Sequence, residues 1–242
     1  METLPDQDHV IEETGPPGHP TFSDSPFAGV RLAGVAGVAG DAGDDDDEND
    51  DNGEKNDKER SRPSPIEHDL LEARTILVSG PVDDKLCASV CARLLILENR
   101  DPKASITVYI NSPGGSADSG FAMYDMMRFV RCPVKTVVNG LCASAAVLVF
   151  LGGAEKQRVS LPYSRFLIHQ PSTMGRGSAS DLRITAEQIV RMRERYNRIV
   201  AEATGKAEDE ILEASARDFW LSAGEALEFG LIDRIVTHHQ DL

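Results

Sequence analysis

From Ile66 to the C-terminus, short β-branched runs alternate with stretches whose apolar residues recur every three or four positions. Thr75-Ile76-Leu77-Val78 is a strand pattern stopped by Gly80-Pro81, and Asp83–Leu97 follows with Leu86, Val90, Leu94 and Leu97 on one helical face. Ile106–Ile110 reads as the next strand, Ala117–Val130 as helix, Val134–Val138 as strand and Ser144–Leu151 as an apolar helix. Val159–Leu161 and Phe166–Ile168 are further strands, and Ser180–Thr204 is a long charged helix. Ser222 with Glu225 three residues on marks a helix start, Gly230 marks its stop, and Leu231–Val236 closes as a strand. Alternation of this kind dictates an α/β domain, because parallel strands need helical crossovers that cover both faces of the sheet.

The first 65 residues obey a different rule. They hold seventeen acidic and five basic residues, so −12 of the chain's net charge of −15 sits there. Their composition is largely Pro, Gly, Ser and acid, which buries too little to offset the entropy of ordering. They are expected to be a disordered acidic extension, with residues 66–242 as the folded domain. Gly29–Gly40 is apolar but too short and too interrupted by Arg31 to span a bilayer. Met1–Leu4 lacks the basic start and apolar core of a secretory signal. The expectation is a cytoplasmic chain with no membrane partner. No basic stripe invites a nucleic acid. The four cysteines show no zinc spacing, so no metal site is expected, and Cys87 and Cys91 fall one helical turn apart.

Three segments combine reactive side chains with suggestive backbone positions. Gly140–Ala146 runs from a strand through small residues into an apolar helix, leaving Ser144 near a helix N-terminus. Unpaired N–H groups there favour developing negative charge, although a serine at that place also serves as a plain N-cap. His169 is the one histidine of six that ends a core strand, where open α/β sheets place ligands. It can act as a general base or as a hydrogen-bonded structural residue. Asn111-Ser112-Pro113-Gly114-Gly115 offers backbone N–H groups to an anion, or is a simple turn. Neither a phosphate-loop Lys-Ser/Thr nor a GxGxxG comes after it. Asp218, beside Arg217 and two aromatics, is not singled out by pattern; a surface Arg–Asp pair is the plain alternative.

Taken together these pieces resemble the proteolytic subunit of the Clp protease. The likeness is carried by Tyr109–Gly115, Gly140–Ser144, Phe166–Pro171, Arg217–Ser222 and Phe229–Asp233 in order, with spacings of 25 residues from Ser144 to His169 and 49 from His169 to Asp218. The resemblance implies a crotonase-like ββα superhelix with a protruding handle helix over Ser180–Thr204, entered by a strand at Gly175–Ser178. It implies Ser144 as nucleophile, His169 as general base and Asp218 as the orienting acid, with the N–H groups of Gly115 and Ala145 as oxyanion hole. It further implies heptameric rings stacked as a tetradecamer, an AAA+ unfoldase of the Clp type that uses the ATP, unfolded polypeptides as substrates, and no cofactor in this subunit. Ser172 stands where the family commonly has an apolar residue, which makes the adjoining pocket more polar. Ala216 replaces an acid that pairs with Arg217 at ring contacts. Two further readings share the fold: a catalytically silent ring subunit acting as scaffold, and a crotonase-type acyl-CoA enzyme.

Overall fold

The computed structural model describes residues 65–172 and 174–242. The acidic extension lies outside the described residues, apart from Pro65, which opens the first helix. Elements run in the order α1 (Pro65–Glu72), β1 (Thr75–Ser79), α2 (Asp84–Arg100), β2 (Ile106–Ser112), α3 (Ala117–Phe129), β3 (Val134–Ala143) and α4 (Ala145–Leu151). Then come β4 (Arg158–Ser160), β5 (Arg165–Ile168), α5 (Ala179–Thr204), α6 (Glu208–Ala214), β6 (Phe219–Ser222), α7 (Ala223–Phe229) and β7 (Arg234–Ile235).

The seven strands form one sheet with the path β1-β2-β3-β4-β7, from which β5 and β6 branch at β3. All pairings are parallel except β5 with β6. The branch has a local cause. The first half of β3 (Thr136–Val138) pairs with β4, and its last residues (Leu141–Ala143) pair with β5. Between them Gly140 takes φ +144°, and a Cβ there would lie 2.7 Å from Asn111 Oδ1. The same oxygen accepts the Leu141 N–H at 3.0 Å. Opposite it, the β2–β3 register slips between Ile110 and Ser112. Such an irregularity bends a strand and re-aims the residues beyond it. The sheet thus turns toward β5 just before Ser144.

Valine and isoleucine from β1, β2 and β3 fill the core together with α4, all seven of whose residues are buried. Phe150 of α4 meets Phe166 of β5 with ring centroids 5.6 Å apart. Helix α5 is different. Every residue from 179 to 188 is exposed, and only Tyr196, Asn197, Val200 and Ala201 are buried. A capping box between Ser178 and Asp181 starts it, and Gly205 in the left-handed region ends it. The expected handle therefore protrudes from the sheet domain.

Several expectations need adjustment. No strand forms at 175–178: these residues pair with none of the seven strands. Strands β2 and β3 run past the expected ends, through Ser112 and Ala143, because pairing continues beyond the β-branched residues. The closing strand is confined to Arg234–Ile235. Helices α1 and α6 and strand β6 add to the expected order; each is short, at eight, seven and four residues.

Candidate active site

Ser144 sits on a sharp strand-to-helix turn with φ 57° and ψ −123°. A non-glycine residue holds such a backbone only when its surroundings over-determine it, at a cost of about 1–3 kcal/mol. Those surroundings are dense. The Ser144 N–H donates to Leu167 O of β5 at 2.9 Å, and its carbonyl accepts the first helical bond from Val147 at 3.0 Å. Its side chain makes no capping hydrogen bond, so the N-cap role does not account for it. On the other side Gly114 packs so closely that a Cβ there would lie 2.5 Å from Ala143 O and 2.7 Å from Ser144 Cβ. Gly120 of α3 lets that helix approach α4, with Ala145 O 3.0 Å from where a Cβ would be.

Gly115 is held by the segment after β1. Val82 donates to Gly114 O at 2.9 Å and accepts from Ser116 N–H at 2.7 Å, forming a parallel bridge around Gly115. In such a bridge the enclosed residue's own N–H points to the opposite side. A Cβ at Gly115 would stand 2.3 Å from Val82 O, so only glycine fits. The Gly115 and Ala145 backbones line one cleft with Ser144 and His169.

His169 comes directly after β5, and Asp218 precedes β6. The antiparallel register pairs Ile168 with Phe219, so His169 and Asp218 are the next opposing residues. Their Nδ1 and Oδ1 atoms are 3.8 Å apart. This is ion-pair range but longer than a hydrogen bond. Beyond them the register is lost, and Gln170 N–H donates to Ser215 O at 3.1 Å. The ionisable side chain that Asp218 faces within 4 Å is His169, and among the described residues no such contact forms between Asp218 and Arg217. His169 is 28% exposed and Asp218 67%.

The cleft has a volume of about 400 Å³. Phe121, Leu148 and Met192 give it an apolar wall, while Ser172, Thr185 and Gln188 give it polar groups without formal charge. Tyr196 of its lining and Cys142 at the end of β3 are buried, which raises the pKa of both and keeps them neutral. Sequence reasoning missed Val82, which brackets Gly115, and read Asn111 only as the start of the Asn111–Gly115 turn, not as the brace of Gly140. Neither carries a residue-type signal, because both act through local geometry that becomes visible only once β1, β2 and β3 are side by side. Among the described residues, no group of three or more His, Cys, Asp or Glu is arranged to hold a metal ion. No helix among them is long and apolar enough to cross a membrane.

Comparison with known proteins identifies the family. The Clp protease family model matches residues 58–239. ATP-dependent Clp protease proteolytic subunit 3 of Rhizobium etli is 42% identical over 176 residues, covering 73% of this chain and 90% of that protein. The corresponding subunit 3 of Rhizobium johnstonii matches with the same identity and coverage. Among solved structures, a point mutant of ClpP1 from Listeria monocytogenes superposes with a TM-score of 0.67 at 37% identity, over 72% of this chain and 98% of that one. The fold is thus the crotonase-like one of that structure, and the chain belongs to the Clp protease family, a family of serine peptidases.

Proposed function

We propose that this chain is a serine endopeptidase in which Ser144, His169 and Asp218 form the catalytic triad. The observation that carries the reading is one arrangement: a strained Ser144 and His169 share a cleft, and Asp218 stands 3.8 Å behind the imidazole. His169 takes the Ser144 hydroxyl proton as that oxygen attacks the peptide carbonyl, and returns it to the leaving amine. Asp218 orients the imidazole and stabilises its protonated form. The tetrahedral oxyanion is received by the N–H groups of Gly115 and Ala145, the second at the start of α4. Apo geometry at such sites is commonly loose and tightens on substrate binding or assembly.

Family membership supports ring self-association, with heptamers stacked through α5, and an ATP-using Clp-type unfoldase that delivers unfolded polypeptides. The subunit itself uses neither metal nor cofactor for peptide cleavage. Membership of the Clp protease family supports a cytoplasmic site of action.

The test is hydrolysis of short fluorogenic peptides by the assembled full-length chain and by Ser144→Ala. The substitution is expected to lower turnover by about 10⁴-fold or more while leaving assembly unchanged. Equal rates for both proteins would overturn the triad. No cleavage by either, in assembled rings, would favour the scaffold reading.

A further inference from the structure

The four described cysteines are free, and two of them differ from the others. Cys132 and Cys142 are buried, whereas Cys87 and Cys91 are partly exposed on α2. Their Sγ atoms are 4.0 Å apart. Four-residue spacing stacks the two side chains on one helical face.

That separation suits a single bridging atom. Two sulfurs each bound at about 2.3 Å to one metal lie roughly 3.8 Å apart at a tetrahedral angle and about 4.6 Å apart when the three atoms are in line. The observed 4.0 Å falls between these limits, so an ion can bridge the pair without moving the helix. A direct disulfide suits it poorly. The S–S bond is about 2.05 Å and wants Cβ atoms about 3.8 Å apart, while this helical spacing holds them about 5–6 Å apart.

The ligand count narrows the ion. With no cluster of three or more potential ligands among the described residues, no further side chains complete a four-coordinate zinc site. Two thiolates alone suit a soft cation that accepts low coordination. We propose that Cys87 and Cys91 form a two-thiolate site for a soft monovalent cation of the copper(I) or silver(I) class. Binding breaks two S–H bonds and forms two metal–sulfur bonds. Two protons pass to solvent, and no oxidation state changes. The bound unit carries a net negative charge. Burial and the neighbouring Cys87 push the Cys91 thiol up to about 11, so the ion has to displace a tightly held proton there.

The site's position connects it to the cleft. Cys87 N–H donates to Asp83 O at 2.9 Å, and the neighbouring Val82 brackets Gly115. Ser119 Oγ of α3 also donates to Asp84 Oδ1 at 2.8 Å, tying the same turn to α3. A bridging ion therefore fastens the turn of α2 that supports the Gly115 backbone.

Native mass spectrometry of the full-length chain titrated with silver(I), compared with Cys87→Ser and Cys91→Ser, tests the site. One ion per subunit is expected, lost in each serine variant, with two sulfur neighbours by X-ray absorption. Circular dichroism of each variant checks that α2 remains folded. An ion retained in either folded variant, no ion on the unsubstituted chain, or a sulfur count other than two would overturn the assignment. None of these readouts depends on peptidase activity.

Discussion

The two halves of the cleft are built differently. On the Ser144 side, every residue of α4 is buried, and Gly114, Gly115 and Gly120 sit where a Cβ would come within about 3 Å of a neighbour. On the His169 side, the pairing of β5 with β6 and the adjoining Gln170–Ser215 bond hold the acid near the base. Asp218 remains 67% exposed and 3.8 Å from the imidazole. The first half is completed by the chain's own core. The second is left adjustable at its outer end, near the exposed first part of α5. Close packing fixes positions because interiors tolerate no overlap, whereas an exposed carboxylate is screened by solvent and held weakly. On the proposed triad, then, packing fixes the Ser144 turn and the Gly115 backbone, and the His169–Asp218 pair is the part that substrate or assembly would tighten.

The largest expected effect comes from breaking the rigid half. Gly114→Ala would place a Cβ 2.5 Å from Ala143 O at a residue with φ +86°. The turn carrying Ser144 must then move, and a displacement of about 1 Å costs roughly a hundredfold or more in rate. Peptide turnover is expected to fall about 10³-fold, with a lowered thermal midpoint. Unchanged turnover would show that the packing around Ser144 is not what positions it.

Substitution in the adjustable half should cost less. Asp218→Asn keeps the shape and removes the charge, and turnover is expected to fall about a hundredfold, at the lower end of general acid–base contributions. Steady-state kinetics on the assembled protein would check this. A loss of about 10⁴-fold, as for a buried triad acid, would instead show that assembly closes the His169–Asp218 gap. A loss below about threefold would remove Asp218 from the mechanism.

Much of this arrangement is legible in the sequence, but unevenly. The strand–helix alternation carries the α/β class, and both ends of α7 are readable because Ser222, Glu225 and Gly230 act locally. Ser144 and His169 are visible as residues at element ends. Asp218 is identifiable only through resemblance, since its closeness to His169 arises from β5–β6 pairing across 49 residues of chain. The fork of β3 at Gly140 is hidden for a similar reason: it depends on Asn111, about thirty positions away. The strand expected at 175–178 rests on resemblance alone, and in this chain the segment pairs with no strand.

The central claim is that Ser144 is an activated nucleophile, and active-site labelling tests it most directly. The assembled protein is treated with a serine-directed fluorophosphonate and the modified peptide is mapped by mass spectrometry. A single adduct on Ser144, absent in His169→Ala, is the expected result. Labelling that persists in His169→Ala, or an assembled ring with no adduct at Ser144, would contradict it.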